Sequence, residues 1–248
     1  MLTLLISGAM GRMGRLTAAQ AQEDGCSVLA GVDARTEGAA PFPVYPAFSL
    51  IPDGCRPDVL VDFSRAELLP DVLSFALKGN IPLVLAATGY GAVEAAAVHD
   101  AAAQLPVFRS ANLSLGVQVM RFLCAQAARA LPGFDIEIVE RHHRQKNDAP
   151  SGTAALLYDA VASPDSEPVY GRHGRTVRRD RREIGIFSLR GGTVAGQHEA
   201  GFYGQGETLQ IVHTAESPAL FAAGALRAAR FIIRQPPGLY GMDDLLAP

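Results

Sequence analysis

The chain has 248 residues, of which 48% are hydrophobic and 19% charged, a balance typical of a globular protein with a sizeable core. The formal net charge of −3 gives no overall attraction to nucleic acid or to an anionic membrane, so neither is an expected partner. The three cysteines form no CxxC pair, and no apolar run reaches the roughly 20 residues needed to span a membrane. The first residues lack a basic region followed by a long apolar stretch, so we do not expect them to act as a signal peptide. We therefore expect a cytoplasmic protein without a disulfide framework or a metal site.

The first half of the chain alternates short apolar segments with helix-forming ones. The apolar segments, predicted to be strands, are 2–7, 27–33, 57–63, 81–88 and 106–112. The helix-forming segments between them are 14–25, 65–79 and 91–104. Near-continuous apolar strands separated by helices are typical of a parallel sheet covered on both faces.

The second half has a different pattern. A long predicted helix, 115–131, leads to an alternating strand, 134–143, and another helix opens at Ser151-Gly152-Thr153. Three segments, 183–190, 192–204 and 206–215, then follow one another through glycine turns, which predicts a mainly antiparallel sheet. The charged run 177–183 is predicted to be a solvated loop, 218–233 a closing helix and 238–246 a short tail. The predicted fold class is α/β, a Rossmann-like half followed by an α+β half.

A glycine-rich loop separates the first predicted strand from the first helix. Gly8, Gly11 and Gly14 permit a tight turn and bring backbone N–H groups and the helix N-terminus to a pyrophosphate. The spacing departs from GxGxxG because Met10 stands where the second glycine would be. Asp33, 19 residues beyond Gly14, ends the second strand where an acidic side chain binds a ribose hydroxyl. The loop predicts dinucleotide binding.

Three other strand ends carry small or hydroxyl residues, at 62–64, 86–89 and 110–114. Ligands of open α/β sheets bind outside the carboxyl ends of the strands, so these ends extend the predicted cofactor crevice. The sequence leaves the choice between NADH and NADPH open. Asp33 favours a free 2′-hydroxyl, Arg12 and Arg35 are placed to neutralise a 2′-phosphate, and we expect use of both cofactors.

Positive charge and imidazole are concentrated between residues 140 and 153. The five side chains concerned are Arg141, His142, His143, Arg144 and Lys146. Adjacent histidines without a third ligand do not suit a metal, and a short cluster without aromatics does not suit nucleic acid. A solvated charged loop is the remaining alternative. Against it, Ser151-Gly152-Thr153 looks like a helix start that binds carboxylates, and histidine can deliver a proton near neutral pH. The cluster therefore indicates reduction of a small anionic molecule.

The motifs resemble those of one enzyme family over nearly the whole chain. They are "GAMGRMG", "VDFS", "ATGY", "SANLSLGV", "ERHHRQKNDAPSGTA", "EIGIFSLRGGTVAGQHE" and "GLYGMDDLL". The family is 4-hydroxy-tetrahydrodipicolinate reductase, also called dihydrodipicolinate reductase, and the histidine–lysine element is its most specific feature. The resemblance implies NADH- or NADPH-dependent reduction of a small dicarboxylate in the diaminopimelate branch of lysine biosynthesis.

The resemblance also assigns residues. It implies that His142 protonates the substrate carbon beside the one that receives hydride, that Lys146 assists, and that His143, Gly152 and Thr153 bind substrate. The implied cofactor residues are Gly8, Ala9, Met10, Gly11, Arg12, Met13, Asp33, Ala86, Ala87, Thr88, Ser110, Ala111, Asn112 and Leu113. It implies a dinucleotide-binding domain over 1–113 and 222–248, with 114–221 binding substrate and forming a homotetramer.

Some positions depart from the family pattern without touching His142 or Lys146. Ala86-Ala87 replaces a common Gly-Thr pair, so contacts by these two residues are expected through the backbone. Ala34 stands where some members place an arginine against the 2′-phosphate. Two alternatives remain: a related reductase acting on another amino-acid-derived carbonyl, and a nucleotide-binding sensor without catalytic activity.

Overall fold

The computed structural model describes residues 1–175 and 178–246. The chain forms two compact units, one made of Met1–Ser114 with the chain from Ala219 onward, and the other of Leu115–Pro218. The predicted domain boundaries fell after residues 113 and 221. The separate functions predicted for the two domains stay predictions. In the described parts of the chain, no helix is long and apolar enough to cross a membrane.

The elements alternate in the first unit and follow a different order in the second. The strands are β1 (Thr3–Ser7), β2 (Ser27–Val32), β3 (Val44–Tyr45), β4 (Val59–Asp62), β5 (Leu83–Leu85), β6 (Pro106–Arg109), β7 (Asp135–His142), β8 (Glu167–Val169), β9 (Glu183–Arg190), β10 (Gly196–Tyr203), β11 (Thr208–Ala215) and β12 (Gly238–Tyr240). The α-helices are α1 (Arg12–Glu23), α2 (Leu69–Gly79), α3 (Ala92–Ala102), α4 (Leu115–Ala130), α5 (Gly152–Val161), α6 (Ala219–Ile232) and α7 (Met242–Leu246).

The first unit is built on a seven-stranded sheet in the order β12-β6-β5-β4-β1-β2-β3. All of its strand pairings are parallel, as the apolar segments predicted. The central strands β4 and β5 are buried along their whole length, because helices cover both faces of the sheet. Two strands, β3 and β12, were not predicted, since two or three residues are too short for a recognisable pattern. The predicted α/β fold class is confirmed.

The second unit contains a mixed five-stranded sheet in the order β11-β10-β7-β9-β8. Strand β10 pairs antiparallel with β7 and β11, whereas β9 runs parallel to both β7 and β8. The glycine turns correctly indicated the β10–β11 hairpin. The predicted antiparallel succession of β9 and β10 is wrong, because β7 lies between these strands and pairs with both. Helix α5 and strand β8 form the crossover that the parallel pairing of β7 with β9 needs. Helices α4 and α5 pack on this sheet around Ile138, Leu157 and Phe202.

The charged run at 177–183 differs from its prediction. Val177 lies outside the described residues. Arg179 is only 18% exposed, and its guanidinium contacts the carboxylates of Asp135 at 2.7 Å and Glu137 at 3.2 Å. A solvated loop is therefore wrong for Arg179. Asp135 and Glu137 lie two residues apart on β7 and therefore share one face of that strand. The sequence of the run 177–183 itself gives no sign of this arrangement.

Helix α1 begins unusually close to the loop that precedes it. A methyl group added at Gly14 would lie 2.3 Å from the carbonyl oxygen of Gly8 and 2.7 Å from the Cα of Ala9. Both neighbours are backbone atoms of a tight turn, which cannot move aside independently. The absence of a side chain at residue 14 therefore sets the distance between the helix and the loop.

We predict that Gly14→Ala lowers the free energy of unfolding by about 1–3 kcal/mol, the usual cost of overpacking. Gly54→Ala is the matched control, since a methyl group there meets no atom within 4 Å. Chemical denaturation of both variants checks this. A Gly14→Ala protein as stable as the wild type would contradict the close approach.

Candidate active site

The loop after β1 is held by its neighbours through backbone hydrogen bonds. The N–H groups of Gly8 and Ala9 donate to the carbonyl oxygen of Val32, at 2.8 and 3.2 Å. Gly11 precedes α1 and provides no side-chain cap, so the first helical N–H groups are left for a ligand. This arrangement fits an anion at the helix N-terminus.

Gly8 shows why the loop needs glycine. Its φ of 72° lies in the left-handed region, and a methyl group there would lie 2.9 Å from the carbonyl carbon and oxygen of Phe63. The backbone of the loop therefore packs directly on the segment after β4. The predicted residues of this loop, from Gly8 to Met13, form one continuous turn into α1.

Asp33 supports the glycine loop. Its Oδ2 accepts a hydrogen bond from the N–H of Met10 at 2.9 Å, and its Oδ1 accepts one from the N–H of Arg35 at 3.0 Å. The guanidinium of Arg35 reaches only 4.0 Å from the carboxylate and is 76% exposed. Asp33 thus has a structural role in shaping the loop, and its predicted contact with a ribose hydroxyl stays a prediction.

The other predicted cofactor residues follow β5 and β6. Ala86 donates its N–H to the carbonyl oxygen of Asp62 at 2.9 Å, Ala87 is buried, and Thr88 is exposed. Ser110 Oγ bonds the carbonyl oxygen and N–H of Asn112, which shapes the turn that contains Ala111 and Leu113. Because all strands of this sheet are parallel, these segments and the glycine loop lie at the same end of the sheet, where the strands have their carboxyl ends.

A buried polar cluster next to these strand ends was only partly predicted from the sequence. Asp62 is fully buried, and its Oδ1 accepts the N–H of Ser64 at 3.0 Å. Ser7 Oγ and Tyr90 Oη are buried beside this carboxylate and interact with it. Burial raises the pKa of Asp62. The sequence drew attention to 62–64 as a strand end but not to Ser7 or Tyr90.

In the second unit, β7 presents Glu140 and His142 on the same side. Residues two apart on a strand share a face, and both side chains are buried. Nδ1 of His142 lies 2.5 Å from Oε2 of Glu140. Since an ionised carboxylate only accepts hydrogen bonds, Nδ1 carries the proton and Nε2 faces away from Glu140.

Three further groups surround the Glu140 carboxylate. Arg190 donates from both terminal nitrogens, to Oε2 at 2.8 Å and to Oε1 at 2.7 Å. The N–H of Ser151 donates to Oε1 at 3.2 Å. Burial alone would raise the pKa of Glu140, but hydrogen bonds from Arg190, Ser188 and the histidine outweigh burial and hold that pKa at about 2. Glu140 is therefore an anion throughout the neutral pH range.

The outer nitrogen of His142 lies beside a glycine. A methyl group added at Gly196 would lie 3.1 Å from Nε2, so the missing side chain leaves room beside this nitrogen. The ring of His198 packs edge-on, with its centroid 5.1 Å from that of His142. Burial lowers the pKa of His142, and the hydrogen bond that its ring donates to Glu140 offsets part of that effect.

The remaining predicted residues lie on the turn after β7 and at the start of α5. Lys146 Nζ forms an ion pair with Asp148 Oδ1 at 2.8 Å, so a bound carboxylate would compete with this aspartate. His143 is half-buried at the end of the strand, where its carbonyl oxygen accepts the N–H of Lys146. Gly152 and Thr153 are the first two residues of α5, and a methyl group at Gly152 would meet no atom within 4 Å.

Ser151 connects the helix start to a second buried histidine. Its Oγ accepts the N–H of Ala154 at 3.2 Å, which caps α5, and lies 3.0 Å from Nε2 of His198. Burial lowers the pKa of His198 to about 4, so this imidazole is neutral near pH 7. His198 Nδ1 is buried without a hydrogen-bond partner among the described residues.

The sequence identified the histidines and lysine of this cluster but not the residues that hold them. The residues missed were Glu140, Ser151 as a buried cap, Arg190 and His198. The i, i+2 spacing of Glu140 and His142 on a predicted strand was a usable signal for one of them. Arg190 and His198 come from β9 and β10, and their approach depends on the unforeseen placement of β7 between these strands.

Comparison with known proteins places this geometry in a family. The family described as dihydrodipicolinate reductase matches over its N-terminal part at residues 2–113 and over its C-terminal part at residues 116–246. The chain belongs to the dihydrodipicolinate reductase family. It is thus an oxidoreductase of a family that uses NADH or NADPH, as the resemblance implied.

Several relatives of this family are similar over their full length. A 4-hydroxy-tetrahydrodipicolinate reductase of Caldanaerobacter subterraneus subsp. tengcongensis is 45% identical, covering 99% of this chain and 98% of the relative. One of Wolinella succinogenes is 41% identical, covering 97% of each chain. A solved structure, dipicolinate-bound dihydrodipicolinate reductase from Paenisporosarcina sp. TG-14, matches with a TM-score of 0.83 at 22% identity, covering 99% of this chain and 100% of that one. At that identity the structure supports the fold alone.

The buried imidazole of His198 should make the stability of the folded chain depend on pH. The pKa of His198 is about 4 in the folded chain, against an ordinary value of 6.5. The unfolded chain therefore binds the proton first as the pH falls, and this contribution to stability is lost between pH 6.5 and 4. His142 and His213, whose pKa values are also lowered by burial, add to the same loss.

The wild type should lose free energy of unfolding between pH 7 and pH 5, and we predict that His198→Gln makes this loss smaller by about 2 kcal/mol. Denaturation at both pH values measures the change. His99→Gln, at an exposed position on α3, is the control and should lose as much stability as the wild type. An unchanged pH dependence in His198→Gln would show that His198 is not held neutral.

Proposed function

We propose that this chain catalyses the NADH- or NADPH-dependent reduction of 4-hydroxy-tetrahydrodipicolinate to tetrahydrodipicolinate, in the diaminopimelate branch of lysine biosynthesis. The observation that carries the proposal is the buried Glu140–His142 pair beside the start of α5. The pair supplies an oriented proton donor, and the helix start supplies a site for carboxylate. The curated relatives are named after this reaction, and they match this chain over nearly their full length.

The substrate is a small ring with two carboxylates, and the proposed binding residues suit such an anion. The N-terminus of α5, at Gly152 and Thr153, binds one carboxylate through backbone N–H groups and the helix dipole. Lys146 moves from Asp148 to the substrate as a point charge, and His143 contributes from the end of β7. The dipicolinate in the similar solved structure is a dicarboxylate of this kind.

His142 provides the proton in the proposed reaction. The 4-hydroxyl group of the substrate leaves as water, which places a ring carbon in conjugation with the imine. NADH or NADPH, when bound, would supply hydride to that carbon. His142 then donates the proton on Nε2 to the adjacent carbon, which carries the developing negative charge. Lys146 and the α5 N-terminus hold the carboxylates during this step, so the ring stays aligned with Nε2.

The glycine loop and Asp33 are proposed to hold the cofactor. The loop backbone and the uncapped start of α1 fit a pyrophosphate. Asp33 lies beside the loop and favours a ribose with a free 2′-hydroxyl, whereas Arg35 is exposed and placed to accompany a 2′-phosphate. We therefore propose use of both cofactors, with backbone contacts from Ala86 and Ala87.

The family assignment argues against the alternative of a related reductase that acts on another amino-acid-derived carbonyl. A nucleotide-binding sensor that has lost its chemistry is the other alternative, and turnover distinguishes it. Three free thiols, Cys26, Cys55 and Cys124, are typical of a reducing compartment, so we propose that the reaction takes place in the cytoplasm.

We also propose that the second unit assembles the chain into a homotetramer. Strand β11 ends its sheet with an unpaired edge and exposes Leu209 and Val212, and α4 exposes Phe122 at 56%. An open strand edge is a template for pairing with another chain, and an exposed apolar patch marks an interaction surface. We predict a native mass four times the 26.2 kDa of one chain by light scattering, and a monomer mass would contradict the proposal.

We predict that His142→Gln lowers kcat by about 10²–10⁴-fold with a modest change in KM, because a positioned acid is lost. Lys146→Ala should lower kcat and raise KM together, since charge-assisted binding of a carboxylate is lost. The assay follows oxidation of NADH and of NADPH with freshly generated substrate.

Wild-type turnover with either cofactor supports the reductase. Cofactor binding without any turnover would favour the sensor. An unchanged kcat in folded His142→Gln would exclude its role as proton donor.

A further inference from the structure

Both carboxylate oxygens of Glu140 accept several hydrogen bonds. Oε2 accepts from His142 and Arg190, and Oε1 accepts from Arg190 and Ser151. The side chain is fully buried, so solvent takes no part in holding it. One carboxylate thus joins strand β7, strand β9 and the residue that caps α5.

We propose that Glu140 is the positioning residue of the reaction, fixing both the tautomer of His142 and the place of the α5 N-terminus relative to it. This inference rests on the proposed function, in which His142 donates the proton. Glu140 touches neither substrate nor cofactor in this role and acts through His142 and Ser151.

The first part of the role proposed for Glu140 is to determine which proton His142 gives up. Arg190 and Ser151 keep Glu140 ionised, so it does not take the Nδ1 proton of His142. The bond that breaks is Nε2–H: its proton goes to the substrate carbon and its electron pair stays on Nε2. Gly196 leaves space beside that nitrogen. Solvent then restores the Nε2 proton for the next turnover.

The second half concerns the distance between the proton donor and the carboxylate site. Oε1 binds the N–H of Ser151, and Ser151 caps α5 immediately before Gly152. Arg190 also donates to the carbonyl oxygen of Asp148 at 2.6 Å, which fixes the preceding turn. Moving Glu140 would therefore shift the donor and the helix start together.

The surrounding charges determine the direction of the expected pH effect. The charged and titratable groups that face His142 are Glu140 on β7, Arg190 on β9, His198 on β10 and Lys146 on the following turn. Glu140 is the anion among them. Removing its charge disfavours the imidazolium, so the pH above which kcat falls should move downward.

The experiment compares Glu140→Gln with Glu137→Gln. Glu137 lies on the same strand, also pairs with arginines, and is outside the proposed site. We expect Glu140→Gln to lower kcat by about 10²–10⁴-fold, to shift the pH limb of kcat downward and to keep NADH binding. Glu137→Gln should keep kcat and the pH limb of the wild type.

Glu140→Asp keeps the charge but moves the carboxylate away from His142, and it serves where Glu140→Gln does not fold. We expect it to fold and to lose at least tenfold in kcat. A folded Glu140→Gln or Glu140→Asp protein with wild-type kcat and pH limb, alongside an inactive His142→Gln protein, would overturn the positioning role. If His142→Gln itself kept wild-type kcat, the proposed function would fail and this inference with it.

Discussion

The buried carboxylate of Glu140 is the constraint on which the polar cluster of the second unit depends. An ionised group without solvent is strongly unfavourable unless its lone pairs are filled, and removing one partner of such a group typically costs 3–5 kcal/mol. Here a histidine, a bidentate arginine and a backbone N–H fill them. The same contacts that stabilise the buried charge also hold His142, the proposed proton donor, next to a helix start. The same hydrogen bonds to Glu140 are therefore needed both for the stability of the fold and for the proposed proton transfer.

The anion sites proposed for the two units are built in different ways. The loop after β1 offers backbone N–H groups at the start of α1, and the nearby Asp33 carboxylate holds the loop in shape. The second unit combines a helix start with Lys146 and two histidines. Backbone groups keep their character at every pH, which suits a cofactor that must bind in each turnover. Imidazole changes charge near neutrality, which suits the step in which a proton moves.

Local pattern was sufficient to predict much of this fold. Continuous apolar strands separated by helices indicated the parallel sheet, and the glycine loop marked the edge where ligands bind. The histidine–lysine cluster and the helix opening at Ser151 were equally visible, because each lies within one short stretch of sequence. The resemblance to a family then suggested the roles proposed for individual residues, which spacing alone did not.

Contacts between distant segments could not be predicted in the same way. Arg190 is 50 residues from Glu140, and the two meet only because β9 lies parallel to β7. His198 approaches Ser151 from β10, on the other side of the same strand. Arg179, predicted to be solvated, is paired because Asp135 and Glu137 share a face of β7. Each case depends on strand order, which the glycine turns did not reveal.

The measurement that tests the central claim most directly is the protonation state of the His142 ring, observed by NMR with ¹⁵N-labelled histidine. The signal is assigned by its absence from His142→Gln. With Glu140 accepting at 2.5 Å, the neutral ring should carry its proton on Nδ1 and leave Nε2 bare. A neutral ring protonated on Nε2 would contradict the account, because the carboxylate would then face a nitrogen without a proton to share.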